Sequence, residues 1–359
     1  MLSSCRSADF VASDLLDATD ELRFRGSPWH LDARFPRSHA IVSHAHSDHL
    51  GRHGRVIAHP ITCDLLAHRL GDPADARGGE APELAATTQL APLPHGAIHR
   101  EDGLEIELFP AGHVLGSAMP RITTARGRLL YTGDFRYAPG RDALTVPGCA
   151  LPSDGADVVL MECTYGLPRY RFPVRGEVIE RLCDSVAAAF AEGKQPVCLC
   201  YSLGKAQEVA RILAENGFAI AMHGAAHAIT EIYHRHGVRV GEVRRHEAGN
   251  IEGTVLIAPP HIRNSRMIAS IKNAHILVVT GWAIDSGATY RYQAAEAFPL
   301  SDHCDFDQLN AFVDAMRERG ARHFLLTHGF VNEFGRHLRA RGVSASPAVP
   351  PRQLALFDD

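Results

Sequence analysis

Between residues 104 and 134 apolar and polar positions alternate with the period of a half-buried strand, first in "LEIELFPAGH" (104–113) and then in "PRITTARGRLLYTGD" (120–134). The second stretch predicts a hairpin turning at Arg126-Gly127. "ADVVLMECTYG" (156–166) reads as another buried strand, with polar residues at its C-terminal end. Upstream, "RVIAH" (55–59) reads as a strand feeding the helix "PITCDLLAHRLG", with Pro60 in its first turn, and Ala40-Ile41-Val42 is a further short apolar run. From about Leu167 the rhythm changes. The helical patterns "EVIERLCDSVAAAFAEG" and "GKAQEVARILAENG" alternate with the apolar runs "PVCLCYS", "FAIAMHG", "TVLIAPP" and "HILVVTG", which predicts a parallel sheet with crossover helices ending near Ala295. The chain is thus of α/β class, and at 359 residues it has room for two domains at roughly 150 residues each.

Polar residues suited to metals cluster where these strands end. "SHAHSDHLGRH" (43–53) begins just past the apolar run at Val42 and carries His44, His46, Asp48 and His49 within six positions. His113 closes "AGH", Asp134 closes "TGD", and His328 sits in "FLLTHGF" after the second unit has ended, so that unit reads as inserted into the first. Zinc takes nitrogen and oxygen ligands, and a pair of zinc ions needs a carboxylate or hydroxide bridge. His44, His46 and His113 suit one ion; Asp48, His49 and His328 suit the other, with Asp134 bridging. His53 falls outside this pattern.

With "ECTYG" (162–166) and "SDHCDF" (301–306) added, the set resembles the metallo-β-lactamase fold of the β-CASP nucleases, and most of all the ligase-associated or lactamase-fold exonucleases of bacteria and archaea. The order of these motifs agrees from about residue 29 to 342. The resemblance implies an αββα sandwich made of residues 1–165 and 296–345, an inserted β-CASP α/β domain at 166–295, and a tail at 346–359. It implies two zinc ions, with manganese as the alternative metal, and a two-metal phosphodiester hydrolysis with Asp48 and Asp134 at the metals. It assigns His303 as general acid oriented by Glu162, and Asp32 in "WHLDARFP" as the carboxylate bracing the metal loop. Asp305 could bond a metal-bound histidine or simply cap the helix that follows. In the insertion, Ser202, the helix-start amides and Lys205 of "YSLGKAQE", and Arg263, Ser265 and Arg266 of "PPHIRNSRM", are candidate phosphate contacts.

Charge and composition narrow the partners. A net charge of −4 excludes a generally basic nucleic-acid coat, so any strand must be held locally. Three of the 37 basic residues are lysine (Lys194, Lys205, Lys272) and the rest arginine, which suits phosphate but also follows from a GC-rich genome. The 22 histidines agree with metal chemistry, and the eight scattered cysteines lack a CxxC pair, so they read as reduced thiols. No stretch approaches 18 apolar residues, and "MLSSCRSADFVASDLL" has no basic start before an apolar block, which predicts a cytoplasmic protein without membrane contact.

The tail carries "QLALF". Gln353, Leu354, Leu356 and Phe357 resemble the peptide by which bacterial repair enzymes dock on the DNA sliding clamp; the alternative is a last strand over the protein's own core. Clamp docking points to DNA, whereas histidine at the His328 position goes, across the family, more with RNA. The sequence therefore predicts a nuclease for single-stranded DNA in repair or end processing, with an RNA nuclease as the alternative. A small-molecule hydrolase needs no such insertion, and a dead scaffold predicts missing ligands.

Overall fold

The computed structural model describes residues 15–18, 21–71, 88–138, 145–247 and 250–349, and within them the strands form three sheets. The first runs β1 (Leu16–Ala18), β2 (Leu22–Phe24), β3 (Trp29–Leu31), β4 (His39–Ile41), β5 (Arg55–Ala58) and β6 (Gln89–Pro92), parallel from β3 onward. The second runs β19 (Ala345–Pro347), β18 (His323–Gly329), β11 (Val158–Cys163), β10 (Gly127–Tyr131), β9 (Ala118–Thr124), β8 (Leu104–Pro110) and β7 (Ile98–Glu101). The third is parallel throughout: β14 (Val243–Arg245), β13 (Ala219–Met222), β15 (Thr254–Ala258), β12 (Gln195–Leu199), β16 (Ala274–Val279) and β17 (Glu296–Phe298).

The second sheet is interrupted in sequence. The chain leaves it after β11, builds the whole third sheet, and returns as β18, which pairs in parallel with β11 from Val158↔His323 to Glu162↔Thr327. Sequence places the far edge of the inserted unit at residue 295, but β17 lies just beyond, because it pairs with β16 and buries Phe298. The hairpin forms, but it turns at Ala125-Arg126, one residue earlier than expected, with Gly127 already in the ladder opposite Thr124.

Apolar packing ties the sheets together. Leu31, Ile41 and Ile57 of the first sheet share a core with Ile106, Ile122, Leu129 and Leu160 of the second. A second core joins Ala40, Val42 and Val56, through Val114 and Leu115, to Cys198, Met222, Leu277 and Phe298 of the third sheet. The third sheet's other face packs Leu199, Leu256 and Val278 against Ile268. Its strands are covered on both sides, which explains their unbroken apolar runs.

Helix α1 (Pro60–Leu70) starts at Pro60 as expected, and α2 (Arg175–Ala191) and α3 (Lys205–Glu215) match the two long patterns. The helix α4 (Gly224–Arg235) has no counterpart in the sequence reading, although Ala226, Ile229, Thr230 and Tyr233 mark its buried stripe at helical spacing. Four more helices complete the described set: α5 (Arg266–Ala269), α6 (Ala288–Tyr292), α7 (Phe306–Glu318) and α8 (Val331–Ala340). Ser346 and Pro347, assigned to the tail by the sequence, belong instead to β19, paired with β18, and Ala348 is buried in the first core. The tail residues Gln353, Leu354, Leu356 and Phe357 lie outside the described residues. Among the described residues the cysteines form no disulfide, and no helix is long and apolar enough to cross a membrane.

Candidate metal centre

The metal loop hangs from Asp32. After β4 the apolar run ends at Val42, and Ser43 turns its backbone N–H onto Asp32 Oδ1 at 2.7 Å and its hydroxyl onto Oδ2 at 2.5 Å. The phenol of Tyr131 reaches the same Oδ2 at 2.8 Å. Asp32 adopts a left-handed backbone (φ 42°), a strained conformation that these bonds hold in place. Gly133 packs so closely that a Cβ there would stand 2.4 Å from Ser43 Oγ, which brings the "TGD" turn down onto the loop.

The histidines use their outer nitrogens as donors. His46 Nε2 lies 3.2 Å from the Leu203 carbonyl and His113 Nδ1 lies 2.9 Å from the Asp302 carbonyl. A carbonyl only accepts, so both outer nitrogens carry hydrogen. His44 Nδ1 faces Ser43 Oγ at 2.9 Å, whose own hydrogen is spent on Asp32. The inner nitrogens then converge: His46 Nδ1 lies 3.1 Å from both His44 Nε2 and His113 Nε2. Burial keeps these rings neutral, pushing His44 and His113 down and His46 down to about 4, with their mutual repulsion adding to it. Three lone pairs therefore point at one spot. Ligands about 2.0–2.1 Å from a tetrahedral ion stand about 3.3 Å apart, so this donor set fits a cation.

A second group shares Asp134. His49 Nε2 and His44 Nε2 each lie 3.5 Å from Asp134 Oδ2, and His113 Nε2 lies 3.8 Å from it. The ligand atoms of His49, Asp134 and His328 lie within 4.8 Å of one another. Burial disfavours a charge on His49, yet Asp134 and Asp32 outweigh it and hold its pKa well above the usual value, so the carboxylates here call for positive charge. His328 reaches the group through a bulge: Glu162 pairs with Thr327 and Cys163 with Gly329, so His328 is the extra residue, at φ 52°. Asp48 stands at the rim, 62% exposed, with Oδ2 3.8 Å from His49 Nε2.

His303 adjoins both groups. Its Nδ1 donates to Glu162 Oε1 at 2.8 Å and its Nε2 faces Asp134 Oδ2 at 4.0 Å. Burial alone would discharge this ring, but Glu162 and then Asp134 hold its pKa up to about 10. Glu162 is itself held by the Phe135 N–H at 3.0 Å and the Thr164 hydroxyl.

These groups open into one cleft of about 1420 Å³, which runs between the metal loop and the third sheet's C-terminal edge. Ser202 lines it. Lys205 lines it too but is not the free cation suggested by its sequence: it is 1% exposed, 2.7 Å from Glu208 Oε2 and 3.8 Å from Asp302 Oδ2. Arg263, Ser265 and Arg266 are not among the lining residues. Arg263 bonds the Gln293 carbonyl at 3.1 Å, and Ser265 caps α5. Asp305 caps α7, with Gln308 completing a capping box, so the capping alternative describes it. His53 is buried away from the cluster and accepts the Arg37 N–H at 3.2 Å. Sequence reading missed the cleft residues His223, Arg245, His246 and His261, whose common address is the end of a third-sheet strand.

No family model matches the chain. It is 37% identical over 330 residues to a protein named "Probable DNA ligase" from Opitutus terrae, across 91% of this chain and 30% of that one. It is 33% identical over 137 residues to an "Uncharacterized protein in lig 3'region" of Acidianus ambivalens, across 37% of this chain and 90% of that one. With "RNase aCSPSF2" of Saccharolobus solfataricus it shares 28% identity over 208 residues, 54% of this chain and 42% of the relative. The chain thus spans less than half the length of the Opitutus and Saccharolobus proteins.

Proposed function

The chain belongs to the β-CASP metallo-β-lactamase nucleases, and on that premise we propose that it hydrolyses phosphodiester bonds of single-stranded nucleic acid, DNA in preference to RNA, as an exonuclease in repair or end processing. The observation that carries this reading is the convergence of inner imidazole nitrogens and Asp134 beside the His303–Glu162 pair, at the floor of a long cleft. The interrupted second sheet supports an αββα core split by an inserted domain.

His44, His46 and His113 would hold one metal, and Asp48, His49 and His328 the other, with Asp134 between them. Divalent metals there, zinc with manganese as the alternative, supply Lewis acidity that lowers the pKa of water and neutralises phosphoryl charge. His303 holds a proton on Nε2, facing Asp134 and the cleft, and gives it to the departing sugar oxygen, while Glu162 orients the ring and keeps it charged. Asp32 fixes His49 and, through Ser43, His44.

DNA is favoured by the long match to a protein named as a probable DNA ligase and by the "QLALF" peptide, read as a sliding-clamp docking site. RNA is favoured by His328 and by the relative named as an RNase, and it is the second reading. The deciding experiment incubates the zinc-loaded protein with 5'- and 3'-labelled single strands of DNA and RNA of one sequence. Loss of DNA from one end is expected. Degradation of RNA with DNA spared overturns the DNA assignment, and metal binding without any cleavage makes the protein a nucleic-acid-binding scaffold.

A further inference from the structure

Strands β12, β13, β14, β15 and β16 all point their C-terminal ends into the cleft, the place where open parallel sheets bind ligands. The two halves of that edge differ in chemistry. Next to the metal groups, Tyr201 after β12 and Trp282 after β16 line the wall, and Trp282 packs on Tyr165, which in turn contacts His303. At the far half, β13 ends in His223, β14 in Arg245 and His246, and β15 leads to His261.

Among the described residues this far cluster has no counter-charge in the cleft. The carboxylates that line the cleft are Asp48, Asp134 and Asp302, all among the metal and His303 groups. Burial pushes the His223 proton off, and His261, His246 and Arg245 each push the same way. Among the described residues Arg245 makes no ion pair or side-chain hydrogen bond, and its Nε and Nη2 lie over Gly224, 3.5 Å from where a Cβ would stand. A Cβ at residue 224 would stand in ordinary van der Waals contact with the guanidinium. His223 Nδ1 accepts the Ala225 N–H at 3.3 Å, so its Nε2 is left as a donor. His246 Nδ1 is buried without a hydrogen-bond partner among the described residues.

The geometry points to a phosphate subsite formed by Arg245, His223, His246 and His261 at the start of α4, which grips the polynucleotide strand away from the bond being cut. Guanidinium and imidazole N–H groups suit phosphate oxygens, and the 12-residue helix α4 presents its positive end there. From β16 to β14 is four strand spacings, about 19 Å. A ligand that reaches from Trp282 to Arg245 is therefore a chain and not a mononucleotide, with Tyr201 and Trp282 positioned to stack bases at its metal end. This inference rests on the single-strand reading above.

The test compares the metal-loaded protein with Arg245→Ala, Arg245→Lys and His261→Ala. Binding of a labelled phosphorothioate oligothymidylate is followed by anisotropy over a salt series, and kcat/KM is measured on the ordinary oligothymidylate and on bis(4-nitrophenyl) phosphate, which spans only the reacting centre. Arg245→Ala should weaken strand binding about 3- to 10-fold and lower the slope of log affinity against log salt by about 1. Arg245→Lys should keep that slope. The ratio of oligonucleotide to small-ester kcat/KM should fall in Arg245→Ala and His261→Ala. Wild-type affinity and slope in both alanine variants overturn the subsite. Strands with and without a 5'-phosphate tell its source: a loss confined to the phosphorylated strand means a terminal phosphate is gripped, and an equal loss on both means an internal one. A wild-type protein that binds the strand but cuts neither substrate removes the nuclease reading and leaves the subsite to the binding arm; one that binds no strand removes both.

Discussion

Asp32 accepts the Nδ1–H of His49 at 2.8 Å on the same oxygen that takes the Tyr131 phenol at 2.8 Å. One left-handed residue outside the metal loop thus orients two of its imidazoles, His49 directly and His44 through Ser43. Asp32→Asn exchanges an acceptor for an amide that cannot satisfy these donors. Loss of such an outer partner costs about 10- to 100-fold in metal affinity. Competitive zinc titration of the folded variant checks it, and wild-type affinity would show that the loop holds its shape without Asp32.

His303 is held charged by Glu162, with its pKa up to about 10. The sign follows directly: a raised pKa keeps the acid form at neutral pH and loses it as pH rises, so the Glu162 carboxylate should set the basic limb of the kcat profile above the ordinary histidine range. Glu162→Gln removes the main support and should move the limb down toward the ordinary histidine range of about 6.5. His303→Ala should retain the metals and slow cleavage by about 10² to 10⁴. Metal loss in that variant would make His303 a ligand instead.

The strand-end address of the candidate metal ligands was legible because each follows a clear apolar run: His44 after Val42, His113 after "LEIELFP", Asp134 after "GRLLY" and His328 after "FLL". The interrupted topology was legible for the same reason. Side-chain access was not. Lys205 looked exposed because a Gly-Lys pair opens α3, but only the fold brings Asp302, a hundred residues away in sequence, beside Glu208 to bury it. The Arg245 cluster was missed because its members end three different strands and share no motif. Asp305 carried two meanings, and the spacing to Gln308 fits the capping box that forms.

The "QLALF" peptide makes a separate expectation. A labelled peptide of residues 346–359 should bind a bacterial sliding clamp, and Leu356→Ala with Phe357→Ala should abolish the binding, since apolar side chains fill such a pocket. In the whole protein the same double change should leave turnover on short strands intact. A variant that loses its thermal transition instead would show that these residues continue the packing that begins with β19 and Ala348.

Lys205 joins the inserted sheet to the metal centre. Its ammonium meets Glu208, which Arg175 also pairs, and Asp302, whose backbone carbonyl takes the His113 Nδ1–H. Burial would raise the Asp302 pKa, yet Lys205 first and then His113 hold it far below its usual range. Removing one partner of a buried ion pair costs about 3–5 kcal/mol, and Arg175 keeps Glu208 partly compensated, so Lys205→Met should lose about 3 kcal/mol. Denaturant unfolding measures this, and zinc affinity should fall with it as the Asp302 carbonyl loses its place under His113. A variant of wild-type stability with weakened strand binding would return Lys205 to the role of a phosphate contact.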